Sequence, residues 1–239
     1  MAKQQNFPQT PLLAFDTDWV PQFIMDFIFQ RLVHYGVTAT FFCSSPYVFP
    51  EGSLHERAVH PNFMADSTQG KTPEEVLANL KAMYPNARGS RSHRLYWHAG
   101  LRSHLLQAGI QYNATAFTPL QPSLSPWLFK GLWHFPIWWS DGLHMDQFPL
   151  DKFDPPSSQA FGLKICVFHP IHIWLNSQSP EQAKLRLAGI NLPFATQDEL
   201  VRLRESNTKE GIETVFEDFL QQAAKKPSQT LSQLLPELR

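Results

Sequence analysis

Two apolar runs frame the start of the chain. Residues 12–15 (LLAF) stop at Asp16, Thr17 and Asp18, and residues 37–43 (VTATFFC) are rich in β-branched and aromatic strand formers. Between them Phe23, Ile24, Phe27, Ile28 and Leu32 recur at helical spacing, with Pro21 at the opening and Gly36 as terminator. A strand, a helix and a strand joined by short connections predict a parallel pair. Asp16 and Asp18 then fall at the carboxyl end of the first strand, the edge where α/β folds place their chemistry.

The alternation continues down the chain. Apolar runs predict seven strands, at about residues 12–15, 38–43, 57–60, 87–91, 110–114, 133–138 and 163–168. The sixth lies in an aromatic stretch, LWHFPIWW, broken by Pro136. Helical patterns separate several of these runs. Thr72 reads as an N-cap, with Pro73 at the first helical position and Glu75 reaching back; Ser179, Pro180 and Gln182 repeat that signal. Ile212, Val215, Phe216, Phe219 and Leu220 mark a late amphipathic helix. This order predicts an α/β fold, an incomplete parallel (β/α) barrel short of eight strands. Polar residues recur just after the apolar runs: Asp16 and Asp18, His60, Arg88 or Arg91, Asp141 and His169. In a barrel all of them share one rim.

Composition narrows the function. With 239 residues, 43% of them hydrophobic, the chain can bury one sizeable core, and one domain is as likely as two at this length. The adopted reading is a single barrel domain over residues 1–239, with 1–10 as a loose leader. Residues 177–239 form a helical extension that caps the barrel or acts as a lid. A net charge of −1 without a basic tail argues against a nucleic-acid partner. No apolar run is long enough to span a bilayer, and the first ten residues lack an apolar signal core, so a cytoplasmic protein is expected. Cys43 and Cys166, both inside apolar runs, read as buried thiols.

Two aspartates, several histidines and an arginine on one rim suit a divalent cation held by nitrogen and oxygen. Zinc takes such donors, keeps one position open for water in catalytic sites, and lowers the pKa of that water to about 7. A carboxylate off the metal can take a proton, and a histidine across the site can give one to a leaving group. An arginine can hold the base carboxylate in place. The chemistry expected is metal-assisted hydrolysis of an amide or ester.

The order AFDTDW, GVTATFF, HERAVHPNF, RGSRSH, WWSDG and VFHPIH, over about residues 12–175, resembles the polysaccharide deacetylase family (carbohydrate esterase family 4, the NodB-homology group). The resemblance implies a distorted barrel of about seven parallel strands and a zinc-dependent removal of N- or O-acetyl groups from a glycan or sugar precursor. It implies Asp16 as base, Asp18 and His60 as metal ligands, Arg91 as the arginine of the site, His169 as acid, and Asp141 as the residue that orients His169. Two motifs depart from the family pattern. Where a second histidine should follow His60 by four residues stands Met64, and the arginine motif reads Arg-Ser-His-Arg-Leu. His93, in the arginine loop on the same rim, is the candidate third ligand.

Near a carbohydrate site one indole is expected to stack on a sugar, with Trp139 as the candidate, while His172, three residues past His169, is expected to line the pocket. His34, His98, His104, His134 and His144 read as structural or exposed, and His55 as a satisfied, partly buried side chain. Two other functions compete. Met64 favours a degenerate barrel that binds a glycan without turnover, and Asp16-Thr17-Asp18 could hold a metal on a nucleotide sugar in a glycosyltransferase.

Overall fold

The structure is a computed structural model that describes residues 11–156, 158, 161–205 and 209–238. The first unit forms as its pattern predicts. Strand β1 (Leu12–Asp16) leads into helix α1 (Gln22–Tyr35), and the chain returns as β2 (Thr40–Cys43) parallel to β1. Gly36 ends α1 in the left-handed conformation, φ 65°, with its N–H on the carbonyls of Leu32 and Val33. Helix α2 (Pro73–Met83) is capped by Thr72 Oγ1, which accepts from Glu75 N. The Glu75 carboxylate reaches one residue further back than a capping box requires, to Lys71 N.

Strands β3 (Glu56–Val59), β4 (Gly89–Ser90), β5 (Tyr112–Asn113), β6 (Trp127–Phe129), β7 (Leu132–His134), β8 (Trp139–Ser140) and β9 (Ile165–Phe168) complete one sheet, ordered β6-β7-β5-β4-β3-β2-β1-β9-β8. Every pairing is parallel except β6 with β7. The sheet curls into a distorted, incomplete barrel. Its curl depends on the broken aromatic stretch. Before Pro136 that stretch pairs with β5, and after it with β9, so one run of chain touches both sides of the sheet. A bridge from Ile137 to Phe117 and the bond from Trp138 N to Ile165 O stitch the break.

The sequence reading missed β6. It forms a hairpin with β7 across Lys130 and Gly131, both at positive φ (45° and 87°), the backbone a tight two-residue hairpin turn requires.

Strand alternation sorts the side chains into two layers. Leu13, Phe15, Phe41, Cys43, Cys166 and Phe168 face outward into the core beneath the helices. Leu12, Ala14, Phe42, Ala58, Ile165 and Val167 face the barrel interior. The tail serves both layers. On the helix Ile212–Ala223, Phe216 packs edge-on against Phe15 and Phe168, ring centroids 5.8 and 5.1 Å away. The 3-10 segment Leu231–Leu238 places Leu231, Leu234 and Leu235 in the interior cluster. The described part of the tail therefore covers the outer face and floors the barrel. No described residue beyond 176 lines the cleft at the rim.

Candidate functional site

The inward alternation that buries Leu12 and Ala14 continues to Asp16, and on β3 it runs from Ala58 to His60. On β4 it runs from Gly89 to Arg91, and on β9 from Val167 to His169. Each strand thus delivers its next inward side chain to the same mouth. A cleft of about 250 Å³ lies there, lined by Asp16, Asp18, His60, Arg91, His93 and His169 among others.

Asp16 is buried, and Arg91 Nε shares its N–H between the two carboxylate oxygens, at 3.0 and 2.8 Å. Arg91 Nη1 donates to Ala114 O at 2.7 Å, which fixes the guanidinium. Asp18 and Trp19 both have positive φ, 40° and 57°, a costly backbone for side-chain-bearing residues. A polar knot holds them there. Trp19 N donates to Ser44 Oγ at 2.7 Å, and Ser44 N donates to Thr17 Oγ1 at 3.0 Å. The strained turn aims Asp18 at the mouth instead of along the strand.

Asp18 Oδ1 lies 3.2 Å from His60 Nε2 and 3.1 Å from His93 Nδ1, and those two ring nitrogens are 3.3 Å apart. Burial alone would push the Asp18 carboxyl up. Hydrogen bonds from His60 and His93 and the nearby charge of His169 outweigh it and hold the group well below its usual range. Gln69, buried beneath the loop, sets the His60 end: its Nε2 donates to His60 O and Ser44 O, and its Oε1 accepts from Asn62 N. His93 is set by its own N–H on Pro61 O, 2.9 Å away. Nothing in the sequence pattern singled out Gln69 or Ser44.

Across the cleft, His169 Nδ1 lies 2.7 Å from Asp141 Oδ1, and its backbone N–H donates to Asp141 Oδ2 at 2.6 Å. Asp141 is fully buried at the start of the helix Asp141–Gln147. Burial disfavours a charge on His169, but Asp141, then Asp18 and Asp16, outweigh it and hold the imidazole up at about 10. Asp141 is lowered in turn: His169 beside it overcomes the upward push of its own burial. The free edge of His169, Nε2, lies 3.8 Å from Asp16 Oδ2 and 3.7 Å from Asp18 Oδ2, facing the base and ligand candidates across open space.

Asp16, Asp18, His60, Arg91, His93 and His169 therefore converge on one cleft, with Asp141 directly behind His169. Met64 is not among the residues lining it. Arg88, the alternative arginine, bonds Gln111 instead. His172 stands behind His169, ring centroids 5.6 Å apart, with Nδ1 3.2 Å from Ser177 Oγ, and is likewise absent from the lining. Burial pushes its pKa down. The expectation for Trp139 needs correction. It faces outward on β8, fully buried among Phe168, Phe153 and His144, with no face open to a sugar.

The donor set fits a divalent cation. Asp18, His60 and His93 each offer one ligand atom, and these atoms all lie within 4.8 Å of one another. Two imidazoles and one carboxylate are the donors zinc accepts in three-ligand sites. The packing also favours a cation: two ring nitrogens crowd one carboxylate oxygen and each other, more donors and acceptors than hydrogen bonding alone needs.

A family model described as WbmS-like polysaccharide deacetylase matches residues 13–185. Among solved structures, a Bordetella bronchiseptica protein (WbmS) assigned as a polysaccharide deacetylase involved in O-antigen biosynthesis shares the fold. The TM-score is 0.73 at 23% identity, covering 89% of this chain and 90% of that one. No curated protein matches the chain. No helix among the described residues is long and apolar enough to cross a membrane.

Proposed function

Because the chain belongs to the WbmS-like polysaccharide deacetylase family, we propose that it is a metal-dependent hydrolase that removes an acetyl group, as amide or ester, from a sugar of a surface glycan or its precursor. The observation that carries this reading is the joint placement of three metal-ligand donors, an arginine-held carboxylate and a carboxylate-backed histidine around one cleft.

Asp18, His60 and His93 would hold the cation. When bound, zinc or another divalent ion supplies Lewis acidity and a nucleophilic water near neutral pH. Asp16, fixed by Arg91 and close to the ligand set, takes the proton from the water that adds to the acetyl carbonyl. His169, held at Nδ1 by Asp141, gives its Nε2 proton to the departing sugar nitrogen or oxygen. The carbon–nitrogen or carbon–oxygen bond then breaks. The products are acetate and the free amine or hydroxyl, and the proton taken by Asp16 balances the one given by His169. Asp141 accepts from His169 Nδ1–H and keeps Nε2 facing the cleft. His93 takes the place that Met64 leaves open, and this weighs against a purely degenerate binder.

Metal content and acetate release measured together test the reading. Zinc-loaded protein is expected to bind one ion per chain and to free acetate from an acetylated sugar. Protein that binds no divalent ion in the presence of intact Asp18, His60 and His93 would overturn it.

A further inference from the structure

A second cavity, of about 520 Å³, adjoins the cleft and shares Leu95 and Phe117 with it. The β6–β7 hairpin forms its wall. Trp127 and Phe129 project from one face of β6 and are 43% and 44% exposed, while Leu128 points away. The Trp127 ring stacks on His134, centroids 5.1 Å apart and 9° from parallel, and Trp97 meets the same imidazole edge-on at 5.3 Å. The lining also carries polar groups, Asn113, Thr115 and His134. His134 is 95% buried by its 5% exposure, and its Nε2 has no hydrogen-bond partner among the described residues. Burial pushes its pKa down, so the ring is neutral and can donate or accept.

We propose that this cavity is a subsite for a second sugar ring, the neighbour of the residue that loses its acetyl group, so that the hairpin selects a glycan of at least two rings over a monosaccharide. The inference rests on the deacetylase reading and extends it. Size supports it: the cleft falls below the roughly 300 Å³ where ligand pockets begin, whereas the adjoining cavity lies well inside that range. Chemistry supports it as well. A pyranose presents an apolar C–H face that suits the indole of Trp127, and a rim of hydroxyls that can pair with Asn113 and the orphaned His134 nitrogen. A hydrocarbon chain would leave the His134 nitrogen unpaired. Continuity supplies the register, since a ring in this cavity is linked past Leu95 and Phe117 to a ring at Asp16 and His169.

The test compares wild type with Trp127→Ala on three probes: 4-nitrophenyl acetate, a per-O-acetylated or N-acetylated monosaccharide, and the corresponding β-linked disaccharide. Trp127→Ala is expected to lower kcat/KM on the disaccharide about tenfold, while the other two probes change by less than about twofold. Equal loss on all three, or no loss on the disaccharide, would overturn the subsite. His134→Phe keeps the stacking and removes the orphaned nitrogen; it is expected to raise KM for the disaccharide alone. Disaccharide binding, read by tryptophan fluorescence on protein not turning over, separates the two claims. Failure of every probe to release acetate would sink the deacetylase reading, whereas absence of binding sensitive to Trp127→Ala would sink the subsite whatever the turnover.

Discussion

The two mouths of the barrel are built from the same strands and come to opposite ends. On β3 the inward face runs Glu56, Ala58 and then, one step past the strand, His60, so one strand presents a carboxylate at the base and an imidazole at the rim. At the rim, Asp18 and Asp141 are ringed by histidines and held below their usual range despite burial. At the base, the donors that Glu56 meets among the described residues are neutral: Tyr112 OH at 2.8 Å, Thr40 Oγ1 at 2.9 Å and Ser232 N at 2.8 Å. Burial therefore pushes Glu56 up. The difference teaches that burial of a carboxyl does not mark chemistry. The charge of its partners decides, and among the described residues the rim gathers the carboxylate and histidine groups that could hold a cation.

The comparison breaks if rim substitutions act through stability or base substitutions act through turnover. The largest effect is expected at the rim. Asp18→Ala should abolish metal binding and, with it, acetate release, as read by metal analysis of purified protein. Asp16→Asn should lower kcat by about 10²–10⁴ while bound metal stays constant. Loss of metal in that variant would exchange the roles given to the two aspartates. His93→Ala should weaken metal affinity by at least about tenfold, the scale set by disturbing metal-site partners, while Met64→His, outside the cleft lining, should leave it unchanged. Both are read by competition with a chelating dye.

Asp141→Asn sharpens the contrast through pH. Asp141 is the main upward influence on His169, so its removal lowers that pKa. The alkaline limb of kcat/KM should move to lower pH, and a limb that stays fixed would show that His169 is not the acid. At the base, the sign is worked from Glu56. A raised folded pKa means that its contribution is complete below the unfolded value of about 4.3 and is lost as pH rises through the folded value. Thermal melts of wild type should therefore fall as pH rises above about 4.3 by more than those of Glu56→Gln. The glutamine can keep all three bonds by turning its nitrogen toward Tyr112. Kinetics on acetylated sugar should be unchanged. The smallest effect in this series, about 1–3 kcal/mol of stability without change in metal content, is expected for Gly89→Ala, whose Cβ would overlap the Tyr112 ring.

The rim was legible in sequence because it obeys a local rule. An apolar run that ends in a polar residue says where a strand stops and which side chain comes next, so Asp16, His60 and His169 could be placed without knowing the barrel's shape, whereas only the family resemblance favoured Arg91 over Arg88. What depends on the other layer could not. Trp139 reads as a rim aromatic, but its parity on β8 turns it outward into the helical layer. Trp127, on a strand of three exposed residues, carries no burial pattern at all; Lys130 and Gly131 at the turn were the one local hint. Gln69 and Ser44 act by bonding backbone far away in sequence, and no spacing rule reports that.

The floor of the barrel has a consequence for how the molecule is made. Leu231 N donates to Thr40 Oγ1 across 191 positions, and Leu231, Leu234 and Leu235 fill an interior lined by β1, β2, β3, β5 and β9. A nascent chain that has just emerged past His169 carries Asp16, Asp18, His60, Arg91, His93 and His169 yet leaves an apolar hole at its underside. Such long-range closure is slow to find, and half-finished chains of this kind are prone to stick to one another. The barrel that carries the rim is thus completed by a stretch whose described residues do not line the cleft.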